Sequence, residues 1–374
     1  MVCPAKFYTE LANSGINYFT GVPDSLLKTF CAYVSDHATS KNHVIAANEG
    51  GAVGLAVGYH LATGGIPLVY MQNSGLGNII NPLMSLVDPD VYSVPMLLMV
   101  GWRGEPGKKD EPQHVKQGKV TLSSLEAMGI PYTVIDGDEL TSTTAIQTAI
   151  QTAKKTSGAY ALVVKKGCFD NYSLQNTVET KFPLTRENAI KQVVNALAYD
   201  DIVVATTGMA SRELFEYREE IGQSHEKDFL TVGGMGHASQ IALGIAAQKP
   251  DRNVICIDGD GASIMHMGSM AIIGQSLQKN YKHIVINNGA HDSVGGQETV
   301  GFNINLCAIA KGCGYSTVQS VDNTSNLEDV LPSFLNSTGP SLLEIKVRTG
   351  NRKDLGRPTT TPQENKKAFM DFVK

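Results

Sequence analysis

Short runs of consecutive apolar residues, many of them β-branched, recur along the chain. They fall at 18–20, 43–46, 68–71, 96–100, 132–134 and 161–164, and again at 202–205, 229–232, 254–257, 283–286, 316–318 and 341–345. Longer stretches with helical spacing of apolar and small residues separate most of them, at 7–13, 52–62, 140–156, 186–197, 239–247, 264–278 and 306–312. A strand that is apolar at every position is buried on both faces, and strands alternating with helices pair in parallel. The pattern predicts an α/β chain folded as two doubly wound parallel-sheet domains of about six strands each. A polar, aperiodic segment at 169–183 reads as the linker between a domain at 1–168 and a second at 184–374 that ends in a C-terminal tail. Residues 48–62 and 233–247 both read as glycine-bearing turns opening small-residue helices, a weak internal likeness consistent with duplicated domains.

Composition narrows the class. With 374 residues, 42% of them hydrophobic and 18% charged, the chain has apolar material for two cores. Its formal charge of −5 and its lack of a basic run disfavour binding to nucleic acid or to an anionic membrane. Residues 50–87 contain no Asp, Glu, Lys or Arg, yet Gly64-Gly65, Pro67, Asn73 and Asn81-Pro82 interrupt them. No span of the ~20 apolar residues a membrane helix needs survives, so this stretch reads as core beside a polar site. The N-terminus shows no basic-then-apolar leader pattern, and the six cysteines form no CxxC pair. Reduced thiols and a cytoplasmic location are the expectation.

The sharpest chemical signal is Asp258-Gly259-Asp260-Gly261-Ala262 after one predicted strand, with Asn287-Asn288 after the next. Strand, helix and parallel strand form a single right-handed crossover, so both motifs emerge at the carboxyl edge of one sheet. Asp260, Asn288 and a loop carbonyl would make an all-oxygen site suited to Mg²⁺. Gly259, Gly261 and Ala262 leave backbone N–H groups open to phosphate oxygens. An ordinary βα turn with a capping aspartate is the bland alternative. A second signal is Asn48-Glu49 opening a glycine-rich helix, with no other charge until Asp88. Glu49 is either a partner for the helix dipole or a buried acid with a raised proton affinity.

Together the two motifs resemble those of thiamine diphosphate enzymes, and the likeness extends over nearly the whole chain. It is strongest to the short two-domain 2-oxo acid decarboxylases acting on phosphonopyruvate or sulfopyruvate, which have no central third domain. Segments 21–25, 101–114 and 288–297 carry that part of the resemblance. It implies thiamine diphosphate and Mg²⁺ as cofactors, with Asp260, Asn288 and the Ala290 carbonyl as metal ligands. Gly234, Met235 and Gly236 would lie in the turn that approaches the diphosphate. Glu49 would bond the aminopyrimidine ring and promote ylid formation. The domain at 1–168 would bind the pyrimidine and that at 184–374 the diphosphate. In relatives the cofactor lies between subunits, which implies a homodimer or higher homo-oligomer.

The implied reaction is decarboxylation of 3-phosphonopyruvate to phosphonoacetaldehyde and CO₂ in phosphonate biosynthesis, with sulfopyruvate or another 2-oxo acid as the alternative substrate. Asp24, His114 and His291 are candidate proton carriers. Ser25, Arg103, Lys108, Lys109 and Arg352 are candidate contacts for a small dianionic substrate. Residues 102–114, polar and without periodicity, read as a lid loop. Two further readings have less support. A metal-dependent phosphohydrolase built on Asp258 and Asp260 leaves Asn48-Glu49 and Asn287-Asn288 unexplained. A non-catalytic binding module is at odds with the joint presence of Glu49, Asp260 and Asn288.

Overall fold

In the computed structural model all twelve apolar runs are strands. The first half holds β1 (Phe19–Gly21), β2 (His43–Ile45), β3 (Leu68–Gln72), β4 (Met96–Gly101), β5 (Tyr132–Ile135) and β6 (Ala159–Val164). The second holds β7 (Ile202–Ala205), β8 (Asp228–Leu230), β9 (Val254–Gly259), β10 (Tyr281–Asn287), β11 (Thr317–Val321) and β12 (Ser341–Lys346). They form two six-stranded parallel sheets, ordered β2-β1-β3-β4-β6-β5 and β11-β12-β10-β9-β7-β8. The structure describes residues 1–177 and 179–374; position 178, inside the predicted linker, lies outside the described residues. One unit comprises Met1–Thr177 with Val294–Gln297, and the other Val178–Ser293 with Glu298–Lys374.

Each sheet has a hydrophobic layer on both faces, which is why its strands read as unbroken apolar runs. Leu68, Tyr70, Leu97 and Met99 enter one layer of unit 1, while Val69, Met71, Met96, Leu98 and Val100 enter the other. In unit 2, Ile255, Ile257, Ile284 and Ile286 face one way, and Val254, Cys256, Tyr281 and Val285 the other. Successive residues of a strand point to opposite faces, so covering both faces favours apolar residues at most positions, with Asp228, Lys282, His283 and Glu344 as buried polar exceptions.

Helices were less legible. Periodicity passes over Lys28–His37, Pro112–Ala127, Met209–Glu220, Thr324–Leu335 and Pro362–Val373. Pro112–Ala127 buries only Gly118, Thr121 and Leu125, too few apolar positions to register as a stripe. Lys28–His37 buries five residues, but Thr29, Phe30 and Cys31 have low helix propensity, and packing decides the matter. The single helix expected at 264–278 is two, Asp260–Met265 and Gly268–Gln275, because His266 leaves helical geometry at φ −129°, ψ 48°. Among the described residues no helix is long and apolar enough to cross a membrane.

Candidate active site

In unit 1 the chain leaves β1, β2, β3 and β4 at the same edge of the sheet, and each exit carries polar side chains. After β1, Asp24 is 1% exposed, and its Oδ2 accepts from the backbone N–H groups of Leu26 and Leu27 at 3.1 Å each. Its Oδ1 has no hydrogen-bond partner among the described residues. Burial pushes this carboxyl up to about 6, against the pull of the Leu27 N–H and the Arg103 charge. Gly101, at the end of β4, must be glycine: a Cβ there would lie 2.2 Å from Asp24 Oδ2.

After β2, the Asn48 side chain accepts from Gly51 N–H at 2.8 Å and caps the helix Glu49–Thr63. Glu49 is the first residue of that helix and is buried. Its Oε2 accepts from Asn78 Nδ2 at 2.7 Å, and its other oxygen faces Gly75, where an added Cβ would stand 2.5 Å away. The glycine and the amide both come from the segment after β3. The sequence pattern marks neither as a partner of Glu49.

The segment after β4 is shorter and more ordered than the expected 102–114 loop, because a helix begins at Pro112. Trp102 Nε1 donates to Gly118 O at 2.9 Å. Arg103 donates through Nε and Nη2 to the two oxygens of Asp110, at 2.8 and 2.5 Å, and through Nη1 to Ser25 Oγ at 2.7 Å. Asp110 also accepts from Gly104 and Glu111 N–H at 2.8 Å each. The buried Asn73 donates to Arg103 O at 2.8 Å and to Thr121 Oγ1 at 2.9 Å. Arg103 is therefore a fixed, ion-paired guanidinium rather than an open cation on a free lid. Its bond to Ser25 brings together Asp24, Ser25, Arg103 and Asp110. His114 is half-buried in the first turn of the helix, and burial and then the Arg103 charge lower its imidazole to about 4, so it is neutral near pH 7. Lys108 and Lys109 stand exposed at the loop tip.

In unit 2 the crossover from β9 to β10 performs as its spacing predicted. Asp260 opens the helix Asp260–Met265 and is 2% exposed; Thr299 Oγ1 donates to its Oδ2, and the backbone N–H of Asn288 reaches the same carboxylate. Burial still pushes the carboxyl up to about 6, against those hydrogen bonds. Asn288 accepts at Oδ1 from Ala290 N–H at 3.1 Å and donates from Nδ2 to Asp292 Oδ2 at 2.7 Å. Asn287 is structural: Nδ2 donates to Gly301 O and Glu344 Oε1 at 2.8 Å each, and Oδ1 accepts from Gly289 N–H at 3.1 Å.

The glycine turn lies against the same helix. Gly236, at φ +82°, has room for no side chain: a Cβ would meet His266 Cδ2 at 2.6 Å and Ala262 O at 3.0 Å. Over Gly261, an added Cβ would stand 3.2 and 3.3 Å from His291 Cε1 and Nδ1 and 3.4 Å from Met235 Cε. Gly234, Met235, Gly236, Gly261, Ala262 and His291 are thus one neighbourhood. Burial lowers the His291 imidazole to about 4. Asp258 turns away from it, with Oδ2 on Ser263 Oγ at 3.2 Å and His283 Nε2 at 3.4 Å, so Asp258 and Asp260 have separate partners. Arg352, expected as a substrate cation, has Glu187, Glu216 and Asp354 around its guanidinium, so it is ion-paired rather than open.

Comparison with known proteins matches the two units to two family models: thiamine pyrophosphate enzyme, N-terminal TPP binding domain, over residues 5–125, and the corresponding C-terminal TPP binding domain over residues 206–345. The chain is also 33% identical to a phosphonopyruvate decarboxylase of Streptomyces viridochromogenes, over 100% of this chain and 95% of the relative. The chain belongs to the thiamine pyrophosphate enzymes. A Streptomyces hygroscopicus phosphonopyruvate decarboxylase is 31% identical, over 100% of this chain and 94% of the relative. A sulfopyruvate decarboxylase of Methanosarcina acetivorans is 27% identical, over 98% and 97%.

The residues present fit the group for which this family is named. Asp260, Asn288 and the Ala290 carbonyl are hard oxygen donors suited to a divalent cation, and burial leaves the Asp260 charge in need of one. The glycine turn, held at positive φ at Gly234 and Gly236, and the start of the helix Asp260–Met265 present backbone N–H groups suited to phosphate oxygens. Asn78, Gly75, Asp110, Thr299 and Asp292 complete the two neighbourhoods. Asp110 and Asp292 lie inside segments that carry the family resemblance, whereas Asn78, Gly75 and Thr299 act by touching residues distant in the chain.

Proposed function

We propose that this thiamine pyrophosphate enzyme decarboxylates 3-phosphonopyruvate to phosphonoacetaldehyde and CO₂, as a step in phosphonate biosynthesis. The observation that carries the chemistry is a pair of buried acids, Glu49 and Asp260, each opening a helix at the carboxyl edge of its sheet. Full-length likeness to two phosphonopyruvate decarboxylases supports the substrate. The more distant sulfopyruvate relative is the reason to test a sulfonate beside it.

In this reading residues 1–168 bind the pyrimidine and 184–374 the diphosphate. Thiamine diphosphate, when bound, supplies the nucleophile and the electron sink for the departing carboxylate. Glu49 holds a proton at the pyrimidine ring nitrogen, positioned by Asn78 and confined by Gly75. Asp260, Asn288 and Ala290 O hold Mg²⁺, and Gly234–Gly236, Gly259, Gly261 and Ala262 line the diphosphate. Overall, one C–C bond breaks, CO₂ leaves, and the carbon that lost it gains a proton. Asp24, with a carboxyl near 6 and one unpartnered oxygen, is suited to deliver that proton. His114 and His291, neutral at pH 7, serve as hydrogen-bonding groups rather than cations. Arg103, held by Asp110, offers a fixed positive charge beside Ser25 for the phosphonate, with Lys108 and Lys109 nearby in sequence. We place the enzyme in the cytoplasm, supported by six free cysteines, and as at least a homodimer, supported by the family resemblance.

The test is CO₂ release and aldehyde formation from phosphonopyruvate, sulfopyruvate and pyruvate, with and without thiamine diphosphate and Mg²⁺. Cofactor-dependent turnover greatest with phosphonopyruvate is expected. Preference for sulfopyruvate would overturn the substrate, and full turnover by Glu49→Gln would overturn the role of Glu49.

A further inference from the structure

Asn288 belongs to a charged network that neither the motif nor the family likeness assigns. Its Nδ2 donates to Asp292 Oδ2 at 2.7 Å, and the same oxygen accepts from Arg186 Nη1 at 3.1 Å and from Gly350 N–H at 2.9 Å. Arg186 is itself held by Glu213, Nε to Oε2 at 2.8 Å and Nη2 to Oε1 at 3.0 Å, with both side chains at least nine-tenths buried. The network joins four places far apart in the chain. They are the first turn of the helix Arg186–Ala196, the helix Met209–Glu220, the loop after β10, and the C-terminal tail at Gly350.

The network settles which way the Asn288 amide faces. A carboxylate paired with a guanidinium can only accept hydrogen bonds, so Asn288 must present its NH₂ to Asp292 and turn its oxygen away. That oxygen meets the Ala290 N–H at 3.1 Å, away from Asp292. A flipped amide would set oxygen against oxygen at Asp292 and offer NH₂, which cannot ligate a cation.

We infer that Asp292, braced by Arg186 and Glu213, is a positioning residue that fixes the Asn288 amide with its oxygen available to a divalent cation. This rests on the reading of Asn288 as a metal ligand given above. Residues one step behind a metal ligand commonly change metal affinity by about ten- to hundredfold.

The test uses the full chain and reads cofactor binding rather than turnover: calorimetric titration of thiamine diphosphate at a series of Mg²⁺ concentrations, with ligand-free thermal unfolding recorded alongside. Asp292→Ala removes the acceptor. Asp292→Leu removes it while filling the volume, and serves if the alanine variant does not fold. Asp292→Asn keeps an oxygen where all three donors converge. The Mg²⁺ concentration giving half-maximal cofactor binding should rise about ten- to hundredfold in whichever of D292A and D292L folds, the ligand-free melting curve showing that it does, and return to within about threefold of the parent in D292N. Parental Mg²⁺ dependence in D292A or D292L, or equal loss in D292N, would overturn the positioning role. Asn288→Ala separates the two levels: if it too binds cofactor with parental Mg²⁺ dependence, the reading of Asn288 as a ligand falls, whereas its loss beside a normal D292A removes only the role of Asp292.

Discussion

Replacing Gly75 by alanine probes the placement of Glu49 with a single methyl group. Gly75 sits at φ −75°, ψ −12°, a conformation that any residue adopts, so the backbone gives alanine no reason to strain. Restricting the unfolded chain would, by itself, stabilise the variant by about 0.4–1 kcal/mol. The obstacle is the glutamate: the new Cβ would stand 2.5 Å from Glu49 Oε1, 2.6 Å from Cγ and 2.7 Å from Cδ. Ordinary contact is about 3.5 Å, so the carboxyl must retreat by roughly 1 Å. A displacement of that size in a reacting group costs about a hundredfold in rate, or roughly 2.7 kcal/mol of barrier. Steady-state CO₂ release at saturating thiamine diphosphate and Mg²⁺ measures the loss, with calorimetric cofactor affinity and thermal unfolding as controls. The expected result is a large fall in kcat with folding intact. A G75A enzyme turning over within about threefold of the parent would refute the claim that the carboxyl must sit where Gly75 leaves room for it.

Three other outcomes follow from the same geometry. Asp24 has its carboxyl raised from 3.8 to about 6 by burial, so the folded state holds the proton more tightly than the unfolded one, and stability declines as pH rises between those two values. Asp24→Asn removes that decline, so the melting temperature of the variant relative to the parent should be higher at pH 7.5 than at pH 4.5; an equal difference at both would contradict the buried carboxyl. Chelation of divalent ions should abolish thiamine diphosphate binding and turnover, and added Mg²⁺ should restore both in the parent but not in Asp260→Asn; binding that survives chelation would argue against the oxygen donor set as a metal site. Arg218, 1% exposed, donates to both oxygens of the fully buried Asp228 at 2.8 Å, so Arg218→Ala strands a buried charge and should cost about 3–5 kcal/mol in urea unfolding, whereas a loss under about 1 kcal/mol would show that the site opens to water.

The strands were legible because covering a parallel sheet on both faces favours apolar residues at most positions, and that preference is local. The crossover from Asp260 to Asn288 was legible for a related reason: a right-handed strand–helix–strand unit returns its ends to one edge whatever the helix packs against. The helices Lys28–His37 and Pro112–Ala127 were not, since their stripes are short or built from poor helix formers, and tertiary packing decides them. Arg103 and Arg352 show the limit most plainly. Both are arginines in polar, aperiodic segments and read alike as candidate cations. The fold ties one to Asp110 and Ser25 beside Asp24, and surrounds the other with Glu187, Glu216 and Asp354.

The sequence by itself determined two parallel α/β units and the meeting of Asp260 with Asn288 at one sheet edge, because burial periodicity and crossover spacing are written in neighbouring residues, while Glu49 was singled out only by its motif's resemblance to a family. Only the tertiary structure decided what those groups touch: Asn78 and Gly75 on Glu49, Thr299 on Asp260, Asp292 and Arg186 behind Asn288. Each of these contacts depends on how loops from separate strands meet at a sheet edge. Side-chain hydrogen bonds are specific to about an ångström, and that precision comes from packing rather than from position along the chain.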